Sequence, residues 1–339
     1  MRQAIMVEPG KIEFKEVPAP SPTADQILLR IKRIGICGSD VHVWHGKHPY
    51  TSYPVVQGHE FSAQVEAVGK NVTDIEPGMK ATARPQIVCG QCRPCMRGDY
   101  NICRDLKVEG FQAPGAAQDL FVTTRERIVP FPESMSYEDG ALVEPTAVAV
   151  HATGRAGDLT GKNVAVLGAG TIGNLIAQVA QARGAKRVLI TDISDFRLGI
   201  ARQCGIRDTS NAKTETLADA ADRVFGDEGF DVAFEAAGVE ETITQVIPSI
   251  QKGGTVVVVA VFGDPVRVDL ATAGDHELNL IGTLMYKHED FEKAVDIIAN
   301  GGVNTKPLVT KHFPFDSYNE SYEFIEQNGE RSLKEMIDL

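Results

Sequence analysis

The stretch CGQCRPCMRGDYNIC, residues 89–103, sets Cys89, Cys92, Cys95 and Cys103 in the pattern C-x2-C-x2-C-x7-C. Gly90, Pro94 and Gly98 mark it as a loop, and a turning backbone can aim successive thiolates at one point. Four thiolates around one point suit tetrahedral zinc. With four protein ligands such a site has no open position, so it can hold structure but cannot do chemistry. The bacterial ferredoxin run for an iron–sulfur cluster is C-x2-C-x2-C-x3-C-P, whereas here the last gap is longer and Arg104 follows Cys103. Unrelated thiols or a labile disulfide pair are the remaining readings.

A second set of donors lies upstream in GICGSDVHVWHG (35–46) and GHEF (58–61). Cys37, His59 and Glu60 offer a thiolate, an imidazole and a carboxylate, and three protein ligands with an open position is the pattern of a catalytic zinc. Ser39 and His42 follow Cys37 closely enough for a hydroxyl near a bound alcohol to pass its proton to an imidazole nearer solvent. Ser39 also reads as the cap of a helix beginning at Asp40, with His42 on the surface. His45 and His48 read as the wall of a cleft rather than as spare ligands. Glu144 interrupts the apolar run ALVEPTAVAVHA (141–152). A lone buried carboxylate is costly unless paired or near a metal. Glu144 is therefore a candidate fourth ligand or catalytic partner of a metal-bound water, or else a carboxylate at a helix N-terminus.

The third set is a cofactor cradle. In NVAVLGAGTIGNLIAQVAQARGA (163–185), an apolar strand over 163–167 runs into Gly168, Gly170 and Gly173, the pattern G-x-G-x-x-G, with Thr171 and Ile172 between the last two. Ile172, Leu175, Ile176 and Val179 keep helical spacing, and Gly184 is the stop. The glycines allow a tight turn and close approach of a pyrophosphate to the helix N-terminus. A second strand, Arg187 to Thr191, ends at Asp192, an acid placed to accept hydrogen bonds from the ribose of NAD and to repel the extra phosphate of NADP. Arg197 is a candidate for the adenine face.

Positioning these groups takes two kinds of domain. Strands over 231–234, 255–261 and 278–283 alternate with helical stretches, as in a doubly wound parallel sheet, and place the NAD-binding domain at 146–287. Residues 1–145 alternate apolar and polar positions with valine and glycine–proline punctuation, which predicts a β-rich, partly barrel-like domain. The segment 288–339, a helix and a short tail, is expected to return to it. The chain of 339 residues is 43 % apolar and 24 % charged, the make-up of an ordinary soluble protein. Its net charge of −12, without a compensating basic run, argues against nucleic acid or an anionic membrane as partner. No apolar stretch is long enough to span a bilayer, and the N-terminus MRQAIMVEPG lacks a signal core, so a cytoplasmic protein is expected.

Together, GICGSDVH, GHE, the four-cysteine loop, LVEPTAVAVHA, GAGTIG and the tail VNTKPLVTKHFPF resemble the zinc-dependent medium-chain alcohol dehydrogenases, most of all the polyol branch of sorbitol and L-iditol 2-dehydrogenases. The resemblance covers nearly the whole chain. It implies an α/β architecture: a GroES-like catalytic domain plus a Rossmann domain, with the active site in the cleft between them. It further implies two zinc ions per chain, a catalytic one at Cys37, His59 and Glu60 with Glu144 beside the bound water or ligating, and a structural one at Cys89, Cys92, Cys95 and Cys103. It also implies NAD, a small polyol or sugar-derived alcohol as substrate, and a homo-oligomer, dimer or tetramer. Many relatives carry a cysteine at the position of Glu144, and the acid favours polyol chemistry. Sorbitol dehydrogenases commonly carry an Arg–Tyr pair where this chain has Met285 and Tyr286, which points away from sorbitol itself. APGAAQDLF (113–121) likewise replaces the usual DGGFAEY on the substrate side. The competing readings are an L-threonine 3-dehydrogenase, a sugar-phosphate dehydrogenase meeting a phosphate with Lys47 and His48, and a non-catalytic structural or NAD-sensing protein that keeps the fold. The presence of Cys37, His59 and Glu60 argues against the last.

Overall fold

The computed structural model describes all residues from Met1 to Leu339. The chain divides into two compact units. One comprises Met1–Glu144, Lys287–Ala299 and Val309–Leu339; the other comprises Pro145–Tyr286 and Asn300–Leu308. The tail is thus divided, because residues 300–308 belong to the second unit. No helix of the chain is long and apolar enough to cross a membrane.

The first unit is built on a sheet whose strand order is Val309–Pro314, Lys334–Asp338, Gln26–Gly35, Glu60–Val68, Lys80–Ala83 and Ile128–Pro130, with Leu120–Thr124 also pairing on Gln26–Gly35. All pairings are antiparallel except that of Val309–Pro314 with Lys334–Asp338. The long strand Gln26–Gly35, sequence QILLRIKRIG, is the hub, and its Ile27, Leu29, Ile31 and Ile34 join Phe61, Val65 and Phe121 in the core. Its register aligns three chain ends. Gly35 lies opposite Glu60 on one side and opposite Met336 on the other. The exit of one strand and the entries of its two neighbours therefore fall at one end of the sheet, which brings Cys37, His59, Glu60 and Lys334 together although nearly the whole sequence separates the first from the last.

The second unit carries a six-stranded parallel sheet in the order Asp208–Asn211, Arg187–Asp192, Asn163–Leu167, Val232–Glu235, Thr255–Val258, Asn279–Gly282. This is the doubly wound order, with the reversal beside Asn163–Leu167, and ligands bind such sheets where the order reverses. Asn163–Leu167 and Val232–Glu235 are buried throughout, as central parallel strands covered on both faces must be. Strand Asp208–Asn211, sequence DTSN, is polar and lies at the sheet edge; hydrophobic patterning did not predict it. The strand expected over 255–261 stops at Val258, and Val261 is 92 % exposed.

Candidate functional site

Cys37 is the N-cap of the helix Gly38–Trp44, which follows directly from the hub strand. The cap is therefore Cys37, not Ser39 as one reading of the sequence had it, and Asp40 reaches back to accept from the Cys37 N–H at 3.0 Å. One donor atom each from Cys37, His59 and Glu60 lies within 4.8 Å of the others, with His59 and Glu60 buried. Asp40 Oδ1 stands 3.5 Å from His59 Nδ1, a buried nitrogen with no hydrogen-bond partner of its own, which leaves Nε2 as the ring nitrogen available to a metal. A carboxylate behind a ligating imidazole is the usual outer support of a zinc site. Burial pushes the His59 pKa down, but Asp40 and Cys37 outweigh it and hold the imidazole well above the usual histidine value, so a metal entering this site displaces a proton.

Glu60 is held by Lys334, whose Nζ donates to both carboxylate oxygens at 2.8 and 2.6 Å and to the Ile36 carbonyl at 2.9 Å. Both side chains are nearly wholly buried. Burial pushes the Lys334 pKa down, yet Glu60 and Cys37 more than offset it and raise it above the usual lysine value. Gly35 makes room for this pair: a Cβ there would sit 2.4 Å from Glu60 Oε2. Thiolate, imidazole and carboxylate in this arrangement fit a zinc with an open position.

Glu144 is buried in the first turn of the helix Val143–Arg155, close enough to Lys334 to act on its charge, but it is not among the three donors that cluster. Ser39 is half-buried and His42, one turn further along the same helix, is exposed. His48 stacks on Phe111 with ring centroids 4.6 Å apart, and Phe111 in turn lies 4.9 Å from His59, so this aromatic pair forms a wall beside the metal ligands. His45 instead pairs with Glu326 at 2.7 Å.

The four cysteines also converge. Sγ–Sγ distances are 3.4 Å for Cys92–Cys95, 3.9 Å for Cys92–Cys103 and 3.5 Å for Cys103–Cys89. Tetrahedral zinc with Zn–S bonds of about 2.3 Å needs sulfur–sulfur edges of about 3.8 Å. All four are free thiols at separations far beyond a disulfide bond. Backbone N–H groups of Arg104 and Cys95 bring the Cys92 thiol down to about 6, toward the thiolate that a metal requires. The lobe is docked from outside: Arg84 lies over the Tyr100 ring at 4.8 Å, Lys287 pairs with Asp99 at 3.0 Å, and the His288 N–H donates to the Tyr100 hydroxyl.

In the second unit the glycine turn has the shape that a dinucleotide requires. A Cβ on Gly173 would fall 1.8 Å from the Gly168 carbonyl oxygen, whereas one on Gly170, the N-cap of the helix Thr171–Ala182, would meet nothing within 4 Å. Gly173 is thus needed for the turn itself, and Gly170 opens onto space at a helix N-terminus, where a pyrophosphate fits. Asn174, which the motif did not single out, staples the turn by donating to Ala169 O at 2.6 Å and Gly170 O at 3.2 Å. Asp192 ends its strand beside this turn, its oxygens accepting from Ala169 N at 2.7 Å and Ser194 N at 2.8 Å. Arg197 is half-buried in the first turn of the next helix, Asp195–Gln203.

Comparisons with known proteins agree with this fold. Residues 23–133 match the alcohol dehydrogenase GroES-like domain and residues 171–300 the zinc-binding dehydrogenase domain. The chain is 34 % identical over 315 residues to L-threonine 3-dehydrogenase of Rhizobium etli, covering 91 % of this chain and 90 % of that one. It is 32 % identical over 345 residues to sorbitol dehydrogenase 2 of Saccharomyces cerevisiae, covering 98 % and 96 %. Among solved structures, an Escherichia coli alcohol dehydrogenase complexed with NADH superposes with a TM-score of 0.93 at 25 % identity, covering 100 % and 99 %. A zinc-binding dehydrogenase from Sinorhizobium meliloti bound to NADP gives 0.90 at 28 %, covering 100 % and 99 %. The chain belongs to the zinc-dependent medium-chain alcohol dehydrogenases, with a GroES-like and a Rossmann domain.

The two metal sites are expected to fail differently. Cys92→Ser should abolish metal binding by the lobe while zinc at Cys37, His59 and Glu60 is retained. It should also expose residues 89–103 to limited proteolysis, because metal binding and folding of such a loop are one process. Metal analysis with proteolysis checks this, and a Cys92→Ser protein with full zinc and a resistant lobe would contradict it.

Proposed function

We propose that the enzyme oxidises the secondary alcohol of a polyol or sugar-derived substrate to a ketone, passing hydride to NAD and releasing one proton. The observation that carries the reading is the clustering of Cys37, His59 and Glu60 in one unit of a chain whose other unit holds the glycine cradle and Asp192. Zinc held by these three ligands would act as a Lewis acid on the substrate hydroxyl, and the dinucleotide would accept the hydride. Asp40 keeps the His59 ring oriented, and Lys334 neutralises Glu60. Ser39 and His42 lie three residues apart on one helix face, running from a half-buried to an exposed position, and so offer a proton path to solvent. Glu144 is the second candidate to take that proton or to join the metal.

For the substrate, the polyol reading is supported by Glu144 where many relatives hold a thiolate and by the likeness to a sorbitol dehydrogenase. L-Threonine is the second reading, favoured by the 34 % identity to a threonine dehydrogenase. A panel of vicinal polyols, sugar acids, sugar phosphates, L-threonine and simple primary alcohols, assayed with NAD, is expected to give its highest kcat/KM with a polyol or sugar acid. L-Threonine leading the panel would transfer the assignment, and ethanol leading it would exclude both.

The cofactor assignment to NAD rests on Asp192. Two backbone N–H groups hold its carboxylate beside the glycine turn, where it would accept from ribose hydroxyls and repel a phosphate. NAD is expected to be preferred over NADP. Asp192→Ala should reduce kcat/KM for NAD by about ten- to a hundredfold, the loss of one or two hydrogen bonds to a charged group, and narrow the preference. Equal efficiency of the two cofactors in the parent enzyme would overturn it.

A cytoplasmic setting is supported by six unpaired thiols. Assembly into a homo-oligomer is supported by the strand Asn279–Gly282, which ends its sheet with an unpaired edge and has Leu280 41 % exposed. Such an edge is a template for a second chain. Light scattering is expected to give a mass above the 36.7 kDa of one chain, reduced toward that value by Leu280→Pro.

A further inference from the structure

Gln57 is a polar side chain in a place that looks made for an apolar one. It follows Val55 and Val56, is 3 % exposed, and precedes the metal ligand His59 by two residues. Its amide is nonetheless fully engaged. Nε2 donates to the Asp40 carbonyl at 3.3 Å and to Asp40 Oδ1 at 3.2 Å, while Oε1 accepts from the Tyr322 hydroxyl at 2.8 Å. The partners fix the direction of this amide. Reversing it would set its carbonyl against the Asp40 carboxylate, an acceptor facing an acceptor.

The oxygen that Gln57 holds is the one that faces His59 Nδ1 at 3.5 Å. The other Asp40 oxygen is taken by the Cys37 N–H. Removing Gln57 would free Oδ1 to rotate away from the imidazole. Tyr322 is itself immobilised. It is wholly buried in the helix Tyr318–Asn328, and its ring stacks on Trp44 with centroids 4.7 Å apart and planes 3° from parallel. Trp44 belongs to the same short helix that Cys37 caps, and its indole N–H donates to Glu326 of the C-terminal helix at 3.0 Å.

We infer that Gln57 and Tyr322 are positioning residues for the metal centre: the chain Tyr322–Gln57–Asp40–His59 transmits the placement of the C-terminal helix to the imidazole that binds the metal. The inference rests on Cys37, His59 and Glu60 being a metal site. Hydrogen bonds join Tyr322, Gln57 and Asp40, and Asp40 meets His59 Nδ1 through a 3.5 Å charge contact, so breaking a hydrogen-bonded link should loosen the carboxylate that faces the ligand.

The test uses Gln57→Met, which keeps length and removes all three hydrogen bonds, and Tyr322→Phe, which keeps the stack on Trp44 and removes only the hydroxyl. Zinc is counted in the parent, and its release to excess EDTA is timed. The ion in the four-cysteine lobe serves as the internal standard. From Gln57→Met, zinc at Cys37, His59 and Glu60 should leave about tenfold faster, the low end of what an outer-shell partner contributes, while the lobe zinc leaves at the parental rate. Tyr322→Phe should move the rate in the same direction by less, and the double variant should match Gln57→Met alone because both changes cut one chain. With Co(II) in the open site, both variants should shift its visible absorption. Release from Gln57→Met within about twofold of the parent, or additive effects in the double variant, would overturn the inference. A parent chain that holds zinc only in the lobe would instead remove the metal site and the inference with it.

Discussion

The ion pair between Lys334 and Glu60 constrains everything around it. Neither charge tolerates burial alone; the cost of either by itself would be several kcal/mol, and breaking such a pair by removing one partner typically costs about 3–5 kcal/mol. The pair therefore fixes the start of the last strand against the start of the strand that carries Glu60, and it does so on top of the hub strand, where only a glycine at position 35 leaves space. This arrangement also decides the charge of the site. A divalent ion beside the Cys37 thiolate and the Glu60 carboxylate would be neutralised, and the Lys334 ammonium is balanced in turn by the Asp40 carboxylate behind His59. Lys334 thus serves the fold and the electrostatics through the same contact.

The cysteine lobe follows the opposite logic. Four thiolates outweigh a divalent ion, so the cluster is anionic, and the groups around it are donors: backbone N–H groups at Cys92 and an N–H at 3.3 Å on Cys103. No substrate could be activated there, and no position is open for one. The chain thus offers two candidate zinc sites whose ligand sets differ in the way their proposed tasks differ, one closed and anionic, one open.

What the sequence made legible was local. The thiols of 89–103, the glycine turn with its strand Asn163–Leu167, and the acid at the end of the next strand are each contained in a short window whose spacing is set by the chemistry. What it hid was long-range or weakly patterned. Lys334 is one of 34 basic residues and sits in a tail with no motif around it. Its importance follows only from strand register. Strand Asp208–Asn211 has almost no apolar signal because it lies on a sheet edge. Serine has the higher capping propensity, so Ser39 also reads as a cap of the first helix, whereas the actual cap is Cys37, held by the aspartate three residues on. Gln57 reads from sequence as a single polar residue between two valines and a glycine. Nothing local reveals that its partner is Tyr322.

The adjacency of His59 and Glu60 needs a separate account, because successive side chains of a strand point to opposite faces and could not bind one ion. The regular strand begins only at Glu60. Before it, Gly58 has a φ of +90°, a left-handed conformation that lets the backbone turn, and the Gly58 carbonyl is anchored by Ala116 N–H at 2.8 Å. His59 is therefore delivered from a bend and Glu60 from the pleat, and the two side chains converge instead of diverging. The short sequence Gly-His-Glu works as a ligand pair because its glycine breaks the alternation one residue before the strand would impose it. The same reasoning explains why the imidazole depends on Asp40 and the network behind it. A residue outside the ladder has no strand neighbours to fix its side chain, so the Asp40 carboxylate at 3.5 Å and the Phe111 ring at 4.9 Å must do so instead.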